Sequence, residues 1–235
     1  ALREPYRLDT LGHEAQLFHC SASIGVTLFR GRESGVDELL KQIDVAMFEA
    51  KRAGRDAIRF FNSKMQRDIE RRTDLAAALR RALEQDELQL YYQPQVDRHG
   101  HWLGGEALLR WFNAEGQTTS PGVFIPLAEE TGLIIPIGDW VLDMACRELH
   151  AIQRAWRTAM PCVAVNISPY QLAEPSFTQK LQATVERHAI DPCWLHLEIT
   201  ESSLFADLER ARRILNELQE LGIKVELDDF GTGYS

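Results

Sequence analysis

Apolar residues in this chain repeat at two spacings. Val36, Leu39, Leu40, Ile43, Ala46, Met47 and Ala50 recur in steps of three and four, which predicts a helix over 36–53 with Gly54 as its stop. The β-branched and aromatic residues of 18–28 predict a strand before it, and 57–61 a short strand after it. A charged stretch from Ser63 to about Glu84 is again helical, with Leu75, Ala78, Leu79, Ala82 and Leu83 on one face. No Pro/Gly/Ser-rich linker interrupts these parts, so two domains, if present, are joined by a helix.

Beyond Glu87 the pattern changes to strands alternating with longer helical runs. Strands are predicted at 88–93, 103–111, 162–167, 194–200 and 224–229, and helices at 139–156, 179–188 and 207–221. The first two strands lie too close for a crossover helix and predict a hairpin, while the later ones read as βα units. An α/β domain with a mostly parallel sheet or (β/α) barrel follows.

Charge narrows the partners. With 26 Lys+Arg against 35 Asp+Glu in 235 residues the formal charge is −9, which argues against a long nucleic acid as main partner but leaves room for a local cationic pocket. No apolar run reaches the ~18–20 residues of a membrane span and the first ten residues lack a signal-peptide core, so membrane contact is not expected and the segment reads as cytoplasmic. Cys20, Cys146, Cys162 and Cys193 form no CxxC pair and read as buried apolar thiols. His99 and His101 form an HxH pair, yet they flank Gly100 between two strand-like runs, which reads as a hairpin turn.

The informative pattern is where acidic residues fall. Glu106 interrupts one strand, Asn166 nears the end of another, Glu198 follows Leu195-His196-Leu197, and Asp228 and Asp229 follow Val225-Glu226-Leu227. Carboxylates at the ends of apolar strands are costly to bury without partners. In a (β/α) barrel the C-terminal strand ends converge on one face, where these five residues could meet. Oxygen ligands without His or Cys suit Mg²⁺ or Mn²⁺ rather than Zn²⁺, and adjacent aspartates could serve two ions in phosphodiester hydrolysis. Taken singly, Glu106 and Glu198 could be ion-paired edge carboxylates. Likewise Asn166 could form an Asx turn, and Asp228-Asp229 could cap a following turn.

Read together, Glu106-Ala107-Leu108-Leu109-Arg110-Trp111, Val165-Asn166-Ile167-Ser168, Leu197-Glu198-Ile199-Thr200-Glu201-Ser202 and the run from Asp228 to Ser235 (DDFGTGYS) resemble the successive motifs of the EAL family of cyclic di-GMP phosphodiesterases. Tyr92-Gln93-Pro94 and the FIPLAE run at 124–129 extend the likeness from about Leu75 to Ser235. The resemblance implies a TIM-type (β/α) barrel whose Glu106, Asn166, Glu198 and Asp228 hold one metal, with Asp228 and Asp229 serving a second. Two Mg²⁺ or Mn²⁺ ions would support hydrolysis of cyclic di-GMP to linear 5′-pGpG. Glu201 matches a position that steadies the loop beginning at Asp229, Arg110 a ligand-phosphate contact, and Gln93 a residue facing the ligand. For Arg110 a strand-end salt bridge is the alternative.

Upstream, the SIGV run at 23–26 and the stretch from Asp44 to Arg55 resemble the C-terminal half of a GGDEF domain. The implied organisation is a GGDEF-like portion at 1–62, a connecting helix at 63–86 and the first five barrel strands at 87–235. The resemblance also implies that the barrel is incomplete at Ser235, so that residues 1–235 alone would be inactive and prone to aggregate. A homodimer stays open. The competing reading is a catalytically silent cyclic di-GMP receptor signalling through the helix at 63–84. A barrel hydrolase of other chemistry would need its own ligand set.

Overall fold

Two parallel strands, β3 (Ile24–Val26) and β4 (Ile58–Phe60), pair in register against the helix α1 (Val36–Arg52) that connects them, while β1 (Tyr6–Leu8) and β2 (Gln16–Phe18) pair antiparallel. The computed structural model describes residues 6–8, 16–18, 20–31, 35–113, 115–155, 162–200 and 208–228, in two compact units, 1–74 and 75–235. In the first unit α1 carries Asp37 and Glu38 in its first turn and Lys51 and Arg52 in its last, the order its dipole favours. Ala46 and Ala50 are its buried positions, and Gly25 explains how close β3 lies. A Cβ at Gly25 would sit 2.2 Å from the Ile43 carbonyl oxygen, so only glycine fits there. The strand expected over 18–28 is therefore shorter than its composition suggests: β3 pairs with β4 over only three residues.

The division between units falls within α2 (Ser63–Glu84). In the second unit the expected hairpin forms between β5 (Leu88–Val96) and β6 (Trp102–Phe112). At its tip Gly100 has φ 82°, and Asp97 Oδ1 accepts from the backbone N–H groups of His99 and His101 at 2.7 and 2.9 Å. His99 and His101 thus belong to a turn. The two-residue β7 (Thr118–Thr119) pairs with β6. Helices α3 (Pro121–Thr131) and α4 (Ile134–Ala155) lead to β8 (Cys162–Ile167). Then come α5 (Pro169–Leu172), α6 (Phe177–His188), β9 (Leu195–Thr200), α7 (Leu208–Glu220) and β10 (Lys224–Asp228).

Strand order is β10-β9-β8-β6-β5, with β6, β8, β9 and β10 parallel. Side chains alternate between the two faces of such a sheet. Val163, Val165, Ile167, Leu195, Leu197 and Ile199 point to one face and join the buried core with Ile137, Ala145 and Leu149 of α4 and Leu181 of α6. Trp111 and Phe124 meet edge to face, centroids 5.8 Å apart, and each is at most 2 % exposed. Such a pair adds about 0.5–1.5 kcal/mol to the burial of both rings.

Three further expectations change. Helix α3 is an addition, because Pro121, Gly122 and Pro126 obscure it and apolar residues fall all round it. Strand β5 continues through Pro94 to Val96, which a strand at the end of the described sheet tolerates. Of the cysteines only Cys146 is buried, while Cys162 is half-buried and Cys20 and Cys193 are exposed. Among the described residues no helix is long and apolar enough to cross a membrane.

Candidate active site

The face turned away from the helices is polar. Cross-strand register puts Gln93 opposite Glu106, Asn166 opposite Glu198, and Glu198 opposite Glu226. Glu106 is level with Ala164, two residues before Asn166, and Asp228 is level with Thr200, two residues past Glu198. Glu106, Asn166, Glu198 and Asp228 therefore climb across four neighbouring parallel strands, in two steps of roughly 6.6 Å each. Asn166, Glu198 and Asp228 lie towards the C-terminal ends of their strands, as the spacing of polar residues predicts, while Glu106 stands midway along β6.

Hydrogen bonds tie this face together. Asn166 Nδ2 donates to Glu106 Oε1 at 2.7 Å, and Gln95 Nε2 reaches from β5 to Glu198 Oε1 at 3.4 Å. Gly104, opposite Gln95 on β6, lies close against Cys162 of β8. A Cβ there would lie 2.6 Å from both the carbonyl oxygen and the Sγ of Cys162. Below Glu198, His196 is 7 % exposed and its Nδ1 lies 2.7 Å from Glu226 Oε1.

Crowded acids shift one another. Burial pushes the Glu198 carboxyl up to about 7, and repulsion from Glu106, Asp228 and Glu226 adds to it, while the Gln95 bond opposes it. Glu198 is thus the group on which the negative charge of the face converges. Among the described residues, no three His, Cys, Asp or Glu side chains are grouped so as to hold one ion. The expected donor set relies on the Asn166 amide and on Asp229. Asp229 and Glu201 lie outside the described residues.

Arg110 stands on β6 four residues beyond Glu106, on the same face. Its Nη1 donates to the Leu109 carbonyl oxygen at 3.0 Å, and its guanidinium carbon is 5.9 Å from the centroid of the Tyr91 ring. No ion pair of Arg110 with a carboxylate accompanies these contacts among the described residues. A cavity of about 350 Å³ opens beside it, lined by Asn166, Ser168, Gln171 and Glu129 with Ile134 and Ile137. Ser168 Oγ donates to Glu129 Oε1 at 2.9 Å, and Ser168 and Gln171 form a capping box that starts α5. The turn after Asn166 is therefore held by Ser168.

Residues 76–235 match the EAL domain. The chain belongs to the EAL family. Within it, the bifunctional diguanylate cyclase/cyclic di-GMP phosphodiesterase MucR of Pseudomonas aeruginosa is 40% identical over 238 residues, covering 100% of this chain and 33% of that protein. Cyclic di-GMP phosphodiesterase NbdA of the same organism is 34% identical, covering 100% of this chain and 29% of its own length. The chain spans about a third of the curated relatives it matches. Among solved structures, the PaMucR phosphodiesterase in complex with c-di-GMP superposes with a TM-score of 0.66 at 42% identity over 69% of this chain and 66% of that one. The Xanthomonas citri FimX EAL domain in complex with c-diGMP gives 0.63 at 29% identity over 72% and 65%. The EAL portion thus has a mixed α/β fold consistent with a TIM-like barrel.

Sequence reasoning passed over Gln95, His196 and Glu226. For His196 and Glu226 a signal lies in the parity of the strands: 196, 198 and 200 on β9 and 224, 226 and 228 on β10 are the non-apolar positions of otherwise apolar runs.

Proposed function

We propose that the EAL domain hydrolyses cyclic di-GMP to linear 5′-pGpG with the help of Mg²⁺ or Mn²⁺. The observation that carries this is the diagonal of Glu106, Asn166, Glu198 and Asp228 on one sheet face, with the Glu198 carboxyl raised by burial and by its acidic neighbours. A face that repels its own charge is fit for divalent cations, and an all-oxygen donor set suits hard ones. Glu106, Asn166 through its amide oxygen, Glu198 and Asp228 would hold one ion, and Asp228 with Asp229 a second. When bound, such ions lower the pKa of water and neutralise phosphate charge.

The remaining work falls to side chains of this chain. Arg110 offers a planar fork of N–H donors to a phosphate, beside the cavity that receives part of the ligand. Gln93, opposite Glu106, faces the same ligand from β5. In this reading Glu201 would steady the loop that begins at Asp229. In the overall reaction a water oxygen bonds to phosphorus, the P–O3′ bond breaks, and the released 3′ oxygen takes a proton.

Residues 1–62 are the C-terminal half of a GGDEF-like domain in this reading, supported by the β3–α1–β4 unit, with 63–86 connecting it to the EAL domain. The deciding experiment incubates the full-length protein with cyclic di-GMP and Mg²⁺ and follows 5′-pGpG by chromatography. Turnover that EDTA abolishes is expected. Tight binding without turnover would replace the enzyme with a receptor.

A further inference from the structure

His196 and its bond to Glu226 have no part in the reading above. His196 is nine-tenths buried on the polar face, one step below Glu198 on β9. Its strand-register partner on β10 is Lys224, so its bond to Glu226 is diagonal, running one step up the neighbouring strand. At 2.7 Å, with a carboxylate that can only accept, the bond is Nδ1–H donating to Oε1. Glu226 is the strand-register partner of Glu198, on a parallel strand roughly 4.8 Å away and on the same face. A glutamate so placed is long enough to reach whatever Glu198 binds. Its own face offers it a choice: up towards Glu198, or down to His196.

We propose that His196 is a positioning residue that holds Glu226 down and out of the cation site, so that Glu198 and Asp228 are the carboxylates β9 and β10 present to it. This rests on the metal-dependent reading above and deepens it, by assigning the site a restraint on how many carboxylates it offers. Without His196, Glu226 turns up beside Glu198 and becomes an extra ligand. An added carboxylate tightens a hard cation while occupying a position that the reacting groups need. The restraint therefore trades affinity for turnover.

The test uses full-length protein, with Mn²⁺ binding read from the electron paramagnetic resonance of free Mn²⁺ and turnover read separately. His196→Leu keeps a buried apolar body without the donor. It is expected to bind Mn²⁺ about tenfold more tightly and to lose about tenfold in kcat, the scale on which neighbours of metal ligands act. His196→Asn restores a donor near the position of Nδ1 and is expected to behave as wild type. Adding Glu226→Ala to His196→Leu is expected to bring binding and kcat back towards the Glu226→Ala level, because the freed carboxylate is gone. Wild-type binding in His196→Leu, or weaker binding that Glu226→Ala deepens, would overturn the proposal in favour of a packing role. Should His196→Leu not fold, the Asn variant and a Glu226→Gln variant carry the test. In Glu226→Gln the side-chain amide oxygen still accepts from His196, so wild-type-like Mn²⁺ binding is expected, and a tenfold loss would overturn the proposal by making Glu226 a ligand already. Mn²⁺ bound without hydrolysis of cyclic di-GMP would sink the proposed activity and leave these binding ratios to judge His196.

Discussion

Asn166 and Glu106, sixty positions apart, are joined by a 2.7 Å hydrogen bond from Nδ2 to Oε1 across the β6–β8 pair. The bond fixes which end of each side chain faces the site. Asn166 turns its amide nitrogen to Glu106, so its Oδ1 is the atom available to a cation, and Glu106 keeps Oε2 for the same purpose. Glu106→Ala is expected to bring cyclic di-GMP turnover below detection. Asn166→Ala is expected to raise the Mg²⁺ concentration needed for activity by at least about 10–100-fold, the cost typical even of groups one step removed from a ligand. Activity titrated against Mg²⁺ separates the two outcomes.

The raised Glu198 carboxyl makes the stability of metal-free protein depend on pH. Its folded value of about 7 lies above the ordinary 4.5, so between these values the folded state holds the proton more firmly than the unfolded state. Stability from this group is therefore full below about pH 4.5 and falls as pH rises towards 7. Melting temperature in EDTA is expected to decline over that window, to decline less in Glu198→Gln, and to recover most with Mg²⁺ at the alkaline end.

Arg110 separates binding from chemistry. Its contacts, a backbone carbonyl oxygen and the Tyr91 ring, orient the guanidinium without a carboxylate to neutralise it. Arg110→Ala is expected to raise KM by about 10–100-fold, from losing a charged hydrogen bond worth ~1.5–3 kcal/mol. Arg110→Lys, which lacks the planar fork, is expected to fall between Arg110→Ala and wild type.

Gly104 is a test of space. Its missing side chain admits the close approach of Cys162. Gly104→Ala is expected to cost about 1–3 kcal/mol in denaturant unfolding, the usual penalty for over-filling a packed site. The backbone carbonyl of Cys162 cannot swing aside, so Cys162→Ala is expected to relieve only part of it.

Much of this was legible in the chain. Helices α2 and α4 and strands β8, β9 and β10 emerge because their apolar residues keep one period and face one core. Helix α3 did not, since proline and all-round apolarity erase the contrast on which a period depends. The four residues of the diagonal are visible as polar interruptions of apolar strands, three of them near strand ends. The partners of Gln95, His196 and Glu226 are hidden by a different cause: parity can mark the face a polar residue falls on, but not the residue that register between strands will bring to it. Cys193 is exposed although free cysteines are commonly buried, because its place is set by the polar turn at Asp191, whose side chain accepts from the Cys193 N–H at 3.1 Å.

The two faces of the sheet share one backbone, and this links assembly of the core to assembly of the site. A slip of β9 by one residue would drive Glu198 among Val165, Ile167 and the helices and turn Leu197 towards Asn166. The alignment that buries Leu195, Leu197 and Ile199 is thus the alignment that gathers the acids. Greasy residues on one side act as the gauge for chemistry on the other, and the chain needs no separate instruction to bring its carboxylates into line.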